Sequence, residues 1–386
     1  MTATITATAK ATRRLLMGNE AICEGAIAAG VRFYAGYPIT PATEIAEYMS
    51  RRMPEVAGKY VQMEDEVGSI YAIMGASGAG ARAMTATSGP GIGLMQEGIG
   101  SAAAMEIPLV VVVVSRPGPG AGDATGSGQC DVMQARYGPN GDNAVIALTP
   151  STVAESFWLT VKAVNLAERF RTPVILLTEG LLGHMREVID LPDYSKIERI
   201  ERPRPSGPPE KYETYALHKI DEISPMADFG SKYRSVLHYV PNHNYAGRTG
   251  QDALKFTLNH FHAKIESRRD EIIMTESLHT DDAEVLFVAY GTQARSAHEA
   301  MNRLRARGKK AGMLRLITLW PFPYEEVKQA ARAAKVVLVP EMNTGQVQGE
   351  VLKALRRHPA EVLGVNHLHS DPITPEEILD KLTGVL

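Results

Sequence analysis

The chain has 386 residues, of which 44% are hydrophobic and 22% charged, and its formal net charge is −3. At about 100–200 residues per domain, this length allows at least two hydrophobic cores. The near-neutral charge gives no electrostatic basis for binding nucleic acid or an anionic membrane. The longest apolar run, Leu109 to Val114, falls far short of the roughly 20 residues of a transmembrane helix. We therefore expect no nucleic-acid partner and no membrane partner.

The chain contains two cysteines, Cys23 and Cys130. Two thiols make no disulfide framework, so the composition predicts a reducing compartment, the cytoplasm. An iron–sulfur cluster needs about four thiolates, and any such cluster must therefore lie on another chain. The first 18 residues are rich in Thr and Ala, contain basic residues and no acid, and mildly resemble a transit peptide. They lack the apolar core of a secretory signal, and we favour a tail that neighbouring structure orders.

Strand and helix patterns alternate up to about residue 190 and predict an α/β fold around a parallel sheet. A first helix is predicted at 21–29. Thr40-Pro41-Ala42 is predicted to open a second helix, with the Thr40 hydroxyl as N-cap. Thr152 to Glu155 has the pattern of a capping box that starts a long helix. The predicted strands are 32–37, 59–63, 83–87, 109–115, 144–148 and 173–178.

The pattern changes after residue 200. The Pro-rich run Arg202 to Pro209 is incompatible with a helix or a central strand, which predicts a linker or a surface excursion. Residues 210–252, which include His218, His238 and His243, are predicted to be irregular, and a charged helix is predicted at roughly 253–276. A smaller second α/β unit begins near Asp281, with strands predicted at 284–289, 312–316, 335–340 and 363–366. Its last helix is predicted to begin with a capping box at 374–377.

Four side chains follow four successive predicted apolar strands: Thr40, Glu66, Ser88 and Arg116. In an open parallel sheet all four would emerge at one edge, where ligands bind. A helix N-terminus at Thr40 would attract a substrate carboxylate. A guanidinium directly after a buried strand suits bidentate binding of a carboxylate or phosphate. These residues together predict an active site that binds an anionic substrate.

Each of these residues also has a structural explanation. Thr40 could serve only as a helix cap, and Arg116 could form an ion pair with Glu64 or Asp65. Glu66 opens a helix, where the dipole favours a carboxylate. The helix that follows is built of small residues, so we expect another element to pack closely against it. A buried interface between chains at this place would leave one of the acids desolvated, with a raised pKa, able to hold or pass a proton.

The segment from Thr87 to Gly93 is a predicted strand–turn–helix junction. It fails the dinucleotide-binding fingerprint, because the third glycine would fall at Leu94. We therefore interpret its glycines as turn and close-packing residues, and keep Ser88 and Gly89 as candidate cofactor contacts. His367 and His369 lack a third ligand, so no metal site is assigned to this chain.

Six segments carry a resemblance to a known family. The segments are Gly18-Asn19-Glu20-Ala21, Tyr37-Pro38-Ile39-Thr40-Pro41, Met63-Glu64-Asp65-Glu66, Thr85-Ala86-Thr87-Ser88-Gly89-Pro90-Gly91, Gln129-Cys130-Asp131-Val132-Met133-Gln134 and Gly183-His184-Met185-Arg186-Glu187. Through them the chain resembles the α subunits of 2-oxoacid:ferredoxin oxidoreductases over residues 15–190, and from residue 281 it is similar to the transketolase C-terminal-type domain of that family. The closest resemblance is to the 2-oxoglutarate branch, and the 2-oxoisovalerate branch is a near neighbour.

The resemblance implies a thiamine diphosphate-type pyrimidine-binding domain at 15–195, a linker with irregular and helical parts at 196–278, and a smaller transketolase C-terminal-like domain at 279–386. It implies that thiamine diphosphate is shared with a β subunit, which supplies the Mg²⁺ site and a [4Fe–4S] cluster. Glu66 matches the glutamate that hydrogen-bonds the aminopyrimidine ring. Thr40 and Arg116 match the threonine and arginine that bind the substrate carboxylate. The implied assembly is an αβ heterodimer or a dimer of such heterodimers.

The implied reaction converts a 2-oxoacid, coenzyme A and oxidised ferredoxin to acyl-CoA, CO2 and reduced ferredoxin, with 2-oxoglutarate as the first candidate substrate. Many relatives have a basic residue suited to a distal carboxylate after the arginine strand, but here none appears between Arg116 and Arg136. A branched-chain or other 2-oxoacid therefore remains an alternative. Two further alternatives are a nucleotide-dependent dehydrogenase built on the Gly89 turn and a non-catalytic scaffold subunit.

Overall fold

The computed structural model describes residues 12–237 and 249–383. Residues 1–11 of the predicted tail, together with His238 and His243 of the predicted irregular segment, lie outside the described residues. Within the described residues the strands form a two-stranded, a five-stranded and a seven-stranded sheet. Helices flank the two larger sheets, which confirms the predicted α/β fold class.

The seven-stranded sheet has the order β12-β6-β7-β5-β4-β2-β3 and is parallel except for the pair β12–β6. Strands β4, β5 and β7 are buried along their whole length, as expected when helices cover both faces of a parallel sheet. β3 differs from the prediction of an apolar strand, because it lies at the sheet edge and is mostly exposed. The strands are β2 Phe33–Gly36, β3 Lys59–Gln62, β4 Ala83–Thr87, β5 Leu109–Ser115, β6 Ile146–Leu148, β7 Pro173–Glu179 and β12 Thr318–Trp320.

Two hydrophobic cores lie on the two faces of this sheet. Along β5, Val110, Val112 and Val114 face one core, and Val111 and Val113 face the other. Helices α1, α2 and α6 pack on the first face and α3 and α4 on the second. A small antiparallel pair, β1 Thr12–Met17 and β8 Arg186–Leu191, lies beside them. The helices are α1 Gly18–Ala28, α2 Thr43–Glu55, α3 Glu66–Gly78, α4 Gly89–Ala104, α5 Val132–Tyr137, α6 Val153–Phe170 and α7 Gly180–His184.

The start of α2 differs from the prediction. The helix begins at Thr43, its N-cap is Ala42, and no side chain caps it. The Ala42 N–H donates to the Ile39 carbonyl at 2.8 Å, which closes a separate turn before the helix. The predicted N-cap role of Thr40 is therefore wrong. The capping hydroxyl of Thr152 at the start of α6 is confirmed, because it accepts from the Glu155 N–H at 3.1 Å.

The Pro-rich run that begins at Arg202 is anchored to the first α/β unit, the one built on the seven-stranded sheet. Arg202 is only 1% exposed, and its guanidinium forms two 2.6 Å hydrogen bonds with the carboxylate of Glu168. It also donates to the carbonyls of Ser77 and Ala81 at the end of α3. The prediction of a surface excursion is therefore wrong for Arg202, because buried acceptors at a helix end compensate its charge.

The predicted helix at 253–276 is wrong at its C-terminal end. The structure has α8 Gly250–Glu266, a short α9 Arg269–Ile272 and then a strand, β9 Thr275–Leu278. The Met274 N–H donates to the Thr318 hydroxyl, and the Met274 carbonyl accepts from the Ile317 N–H. Hydrogen bonds to this later segment of the same chain therefore replace the helical ones. Propensity does not anticipate this, because the partners are some 40 residues away in sequence.

The second unit is built on a five-stranded sheet of order β14-β13-β10-β11-β9, parallel except for β9. The predicted capping box at Thr374 is confirmed. β12 leaves this unit and pairs with β6, which extends the seven-stranded sheet. The last residue of β12, Trp320, donates its indole N–H to the Val132 carbonyl. No helix in the described ranges is long and apolar enough to span a membrane. The remaining elements are β10 Val285–Ala289, α10 Gln293–Ala306, β11 Ala311–Leu316, α11 Tyr324–Ala330, β13 Val336–Glu341, α12 Gln346–Ala354, β14 Glu361–Asn366 and α13 Pro375–Asp380.

Candidate functional site

The order of the strands places a topological switch point at β2. The next strand along the chain, β3, lies on one side of β2, and the strand after it, β4, lies on the other side. In open α/β sheets, ligands bind beside such a switch, at the carboxyl ends of the strands. Thr40 follows β2, Glu66 follows β3, Ser88 follows β4 and Arg116 follows β5. The structure therefore places all four predicted residues at this edge.

Arg116 contacts the loop that carries Thr40. It is 7% exposed, and its Nη1 donates to the Thr40 carbonyl at 2.5 Å. Its Nε is buried without a hydrogen-bond partner. Among the described residues Arg116 forms no ion pair with Glu64 or Asp65, so that alternative is wrong. A buried guanidinium with an unused N–H is equipped to hold an anionic group.

A cavity of about 590 Å³ opens beside Arg116. The first unit contributes the Gly89 turn, the loop after Arg116, and Asp131. The second unit contributes residues 342–346 and 368–369. The volume lies within the range of about 300–1,000 Å³ typical of small-molecule sites. We call this space the main cavity.

Glu66 is the first residue of α3, and the neighbouring Asp65 is the cap of that helix. The Asp65 carboxylate accepts from the Gly68 N–H at 2.7 Å, which leaves Glu66 unused for capping. Glu66 is 4% exposed, and its Oε1 accepts from the Thr87 hydroxyl at 3.4 Å. Its Oε2 has no hydrogen bond to any described residue. Glu66 thus holds a carboxylate with one oxygen available at the ligand-binding edge.

Gly91 on α4 makes room for that carboxylate. A Cβ at this position would lie 2.0 Å from the Thr87 hydroxyl and 2.3 Å from Glu66 Oε1. The sequence interpretation of these glycines as close-packing residues therefore holds at Gly91, where Thr87 and Glu66 leave no room for a side chain. Ser88 is fully buried, and its hydroxyl has no partner. Gly89 lines the main cavity.

Asp131 is a residue to which the sequence motifs assigned no role. It is 5% exposed and lines the main cavity. The Ser115 hydroxyl donates to its Oδ2 at 2.7 Å, and a Cβ on Gly89 would lie 3.3 Å from its Oδ1. Burial raises the pKa of the Asp131 carboxyl, against the opposing effects of the Ser115 hydrogen bond and the Arg116 charge.

Glu179 was also missed, although it directly follows the strand predicted at 173–178, as Arg116 follows β5; in the structure it is the last residue of β7. The criterion that identified Arg116, a charged side chain directly after a predicted apolar strand, also applies to Glu179. Glu179 is 2% exposed, and its Oε1 accepts from the Thr292 N–H at 2.6 Å at the start of the second unit. Burial raises the pKa of this carboxyl to about 7, although hydrogen bonds from Thr292 and Gln129 lower it.

The described residues contain no group of three or more side chains placed to hold a metal ion. Cys23 is buried and Cys130 is half-buried, and both thiols are free. The residues of this edge fit one half of thiamine diphosphate, because Glu66 Oε2 has no hydrogen bond to a described residue and the buried Ser88 hydroxyl has no partner. Glu66 and Ser88 are the residues that would hold it.

Comparison with known proteins identifies the family of this chain. Residues 24–263 match the family described as pyruvate flavodoxin/ferredoxin oxidoreductase, thiamine diphosphate-binding, and residues 283–378 match pyruvate:ferredoxin oxidoreductase core domain II. The 2-oxoglutarate synthase subunit KorA of Methanothermobacter marburgensis is 41% identical over 96% of this chain and 98% of the relative. The ketoisovalerate oxidoreductase subunit VorB of Methanothermobacter thermautotrophicus is 35% identical over 96% of this chain and 97% of that one.

A solved structure extends the comparison to three dimensions. The 2-oxoglutarate:ferredoxin oxidoreductase from Magnetococcus marinus, with 2-oxoglutarate, coenzyme A and succinyl-CoA bound, superposes with a TM-score of 0.89 at 32% identity. The match covers 96% of this chain and 65% of that one, so this chain spans just under two thirds of its length. The resemblance predicted from the sequence motifs is confirmed. The chain belongs to the pyruvate flavodoxin/ferredoxin oxidoreductase family of thiamine diphosphate-binding oxidoreductase subunits.

Proposed function

We propose that this chain is the α subunit of a coenzyme A-acylating 2-oxoglutarate:ferredoxin oxidoreductase. The reaction converts 2-oxoglutarate and coenzyme A to succinyl-CoA and CO2; two electrons pass to ferredoxin and one proton is released. The reaction is reversible, so the same site would serve CO2 fixation in a reductive tricarboxylic acid cycle. The observation that carries the proposal is the arrangement of Glu66, Arg116 and the Thr40 loop at one switch-point edge.

Glu66 would hold the pyrimidine half of thiamine diphosphate, with Ser88 and Gly89 as further contacts. When bound, this cofactor supplies the carbanion that attacks the 2-oxo carbon. The part played by Glu66 is to accept or share a proton at the ring nitrogen through its open Oε2. The Thr87 hydroxyl and the tight fit at Gly91 fix the carboxylate in place, so its orientation is set before the substrate arrives.

Arg116 and Thr40 would bind the 1-carboxylate of the substrate. The hydrogen bond from Arg116 to the Thr40 carbonyl holds the guanidinium group at the edge of the sheet where β2, β4 and β5 end. The buried, unpartnered Nε is the donor left for the substrate. Because the Nε atom is buried, such a charge-assisted hydrogen bond is stronger than on an exposed surface.

A partner chain would complete the site. Apolar side chains are exposed around Glu66 on β3, on α3 and α4 and just after β2, namely Tyr37, Val61, Val67 and Leu94. An exposed apolar patch of this kind marks an interaction surface. We assign it to a β subunit that brings the diphosphate site, Mg²⁺ and a [4Fe–4S] cluster, in a cytoplasmic dimer of αβ heterodimers. The divisions at 15–195, 196–278 and 279–386 are proposed as the domains of the α subunit.

The test is an anaerobic assay on the complex purified from its native cells. Coenzyme A-dependent viologen reduction is measured with 2-oxoglutarate, 2-oxoisovalerate and pyruvate. We expect a clear preference for 2-oxoglutarate. A preference for 2-oxoisovalerate would keep the reaction class and overturn the substrate. No reduction with any of the three, in a complex that contains thiamine diphosphate and the cluster, would contradict the catalytic proposal.

Replacing Arg116 by lysine separates a substrate-binding role from a scaffold role. Lysine keeps the charge but loses the planar fork, so we expect KM for 2-oxoglutarate to rise roughly tenfold or more. The melting temperature should change little, and Arg136→Lys, on α5, serves as the matched control. A loss of stability with an unchanged KM would identify Arg116 as structural and favour a non-catalytic scaffold.

A further inference from the structure

A second polar space lies behind the wall of the main cavity. It is a small pocket of about 10 Å³ between β5, β7 and the start of the second unit. Ser115, Gln129, Thr178, Glu179 and Tyr290 contribute to its lining. A space of this size holds about one water molecule when several polar groups surround it. We call it the inner cavity.

Two buried oxygens at the inner cavity have no hydrogen-bond partner. They are Glu179 Oε2 and the Thr178 hydroxyl. The other oxygen of Glu179 is held by the Thr292 N–H at 2.6 Å and by the Gln129 amide at 3.5 Å. Buried polar atoms are rarely left unsatisfied, and a water-sized space lined by the residues that carry two of them points to a bound water.

Ser115 connects the inner cavity to the main one. Its side chain lines the inner cavity, and its hydroxyl donates to Asp131 Oδ2 at 2.7 Å. Asp131 in turn lines the main cavity. The groups therefore follow one another as Glu179, the inner cavity, Ser115, Asp131 and the main cavity. Each of the three side chains is at most 5% exposed.

We propose that Glu179, one water in the inner cavity, Ser115 and Asp131 form a proton relay that ends in the main cavity. This inference rests on the proposed function, which requires one proton to leave for each thioester made. The S–H bond of coenzyme A breaks, an S–C bond to the acyl carbon forms, and two electrons leave to ferredoxin. The thiol proton passes to Asp131. The Ser115 hydroxyl, which donates to Asp131 Oδ2 at rest, turns to donate to the inner water; Ser115 accepts the proton from Asp131, and the water passes one to the open Oε2 of Glu179. After the thioester leaves, the same groups return the proton to the main cavity, where it is released to solvent; in the carboxylating direction the sequence runs in reverse.

Burial allows Glu179 to take and release a proton near neutral pH. Burial raises its pKa to about 7. The titratable group facing it from the second unit is Tyr290, whose hydroxyl bonds to the buried Glu341. On the other side, Arg116 faces Asp131 and favours its charged form. A proton carrier works best when its pKa lies close to the working pH.

The test compares Glu179→Gln, Ser115→Ala and the double variant in the assembled complex. Both single changes keep the side-chain size close to the original and remove a proton-carrying group. We expect kcat to fall about 10- to 100-fold in each, with KM for 2-oxoglutarate unchanged. The double variant should be no slower than the slower single variant, because groups that act in one chain are not additive. Glu341→Gln perturbs a buried acid of the same interface that lines neither cavity, and should stay within about twofold of wild type.

An infrared titration tests the relay without turnover. The wild-type complex should show the carbonyl band of a buried protonated carboxyl at neutral pH, which Glu179→Gln removes and Ser115→Ala shifts. A band that Ser115→Ala leaves unchanged, or losses in kcat that multiply in the double variant, would overturn the relay. If the wild type oxidises no 2-oxoacid, the proposed function fails while the infrared result still decides whether these groups are linked.

Discussion

Replacing Glu66 by alanine is expected to lower turnover of the assembled, cofactor-loaded complex by about 100- to 10,000-fold, the usual contribution of a proton-positioning group. The carboxylate is buried at the N-terminus of α3, with Oε1 engaged by Thr87 and Oε2 open. The variant keeps the helix cap, because Asp65 supplies it. The measurement is kcat with saturating 2-oxoglutarate and coenzyme A, at a cofactor content equal to that of the wild type.

Glu64→Ala is the matched control for Glu66→Ala. Glu64 precedes the helix in the same acidic run but is exposed, so its loss should change kcat by less than about twofold. Glu66→Gln refines the result, since it keeps the shape and loses the charge. Turnover near wild type in Glu66→Ala would show that the cofactor needs no carboxylate from this chain, and it would remove the main support for the catalytic assignment.

Replacing Arg202 by leucine is expected to destabilise the protein by about 3–5 kcal/mol, the usual result of leaving a buried charge without its partner. Glu168 would keep its carboxylate inside the protein, and the carbonyls of Ser77 and Ala81 would lose their donor. The measurement is the denaturant midpoint of the first unfolding transition, with the slope of the transition checked for constancy.

The double variant Arg202→Leu with Glu168→Leu provides the control. Apolar replacement of a whole buried ion pair is often neutral, so the double variant should recover most of the lost stability. If it is as unstable as the single variant, the carbonyl contacts at the end of α3 matter more than the charge pair. A change of less than about 1 kcal/mol in Arg202→Leu would contradict the buried assignment of this guanidinium.

The sequence predicted best where local pattern and tertiary environment agree. β4 and β5 begin and end as predicted, because an uninterrupted apolar run fits a central strand buried on both faces. The position of Arg116 followed from the same rule. The position of Glu66 at a helix start also followed from local signals, because acidic residues favour the first turn of a helix. In the structure Asp65 caps the helix and Glu66 is its first residue.

The prediction failed where a distant contact decides the local structure. The start of α2 is the exception, because a local turn, closed by the Ala42 N–H on the Ile39 carbonyl, displaces it from Thr40. β9 and β12 form because strands far away in the chain supply their hydrogen-bond partners. Arg202 is buried because Glu168 and the end of α3 come together only in the folded chain. The main cavity itself could not be predicted, since about a third of its lining residues come from residues 342–369.

The crossing of β12 into the sheet of the first unit affects how the protein can be divided. β6 is a short, fully buried apolar strand, and β12 covers its outer edge. A fragment that ends before residue 318 would leave that edge open, with N–H and C=O groups ready to pair with another molecule. Expressed alone, the first 195 residues should therefore self-associate through β6. The segment 317–322 would have to accompany them, supplied by fusion or as a peptide, to give a monodisperse fragment.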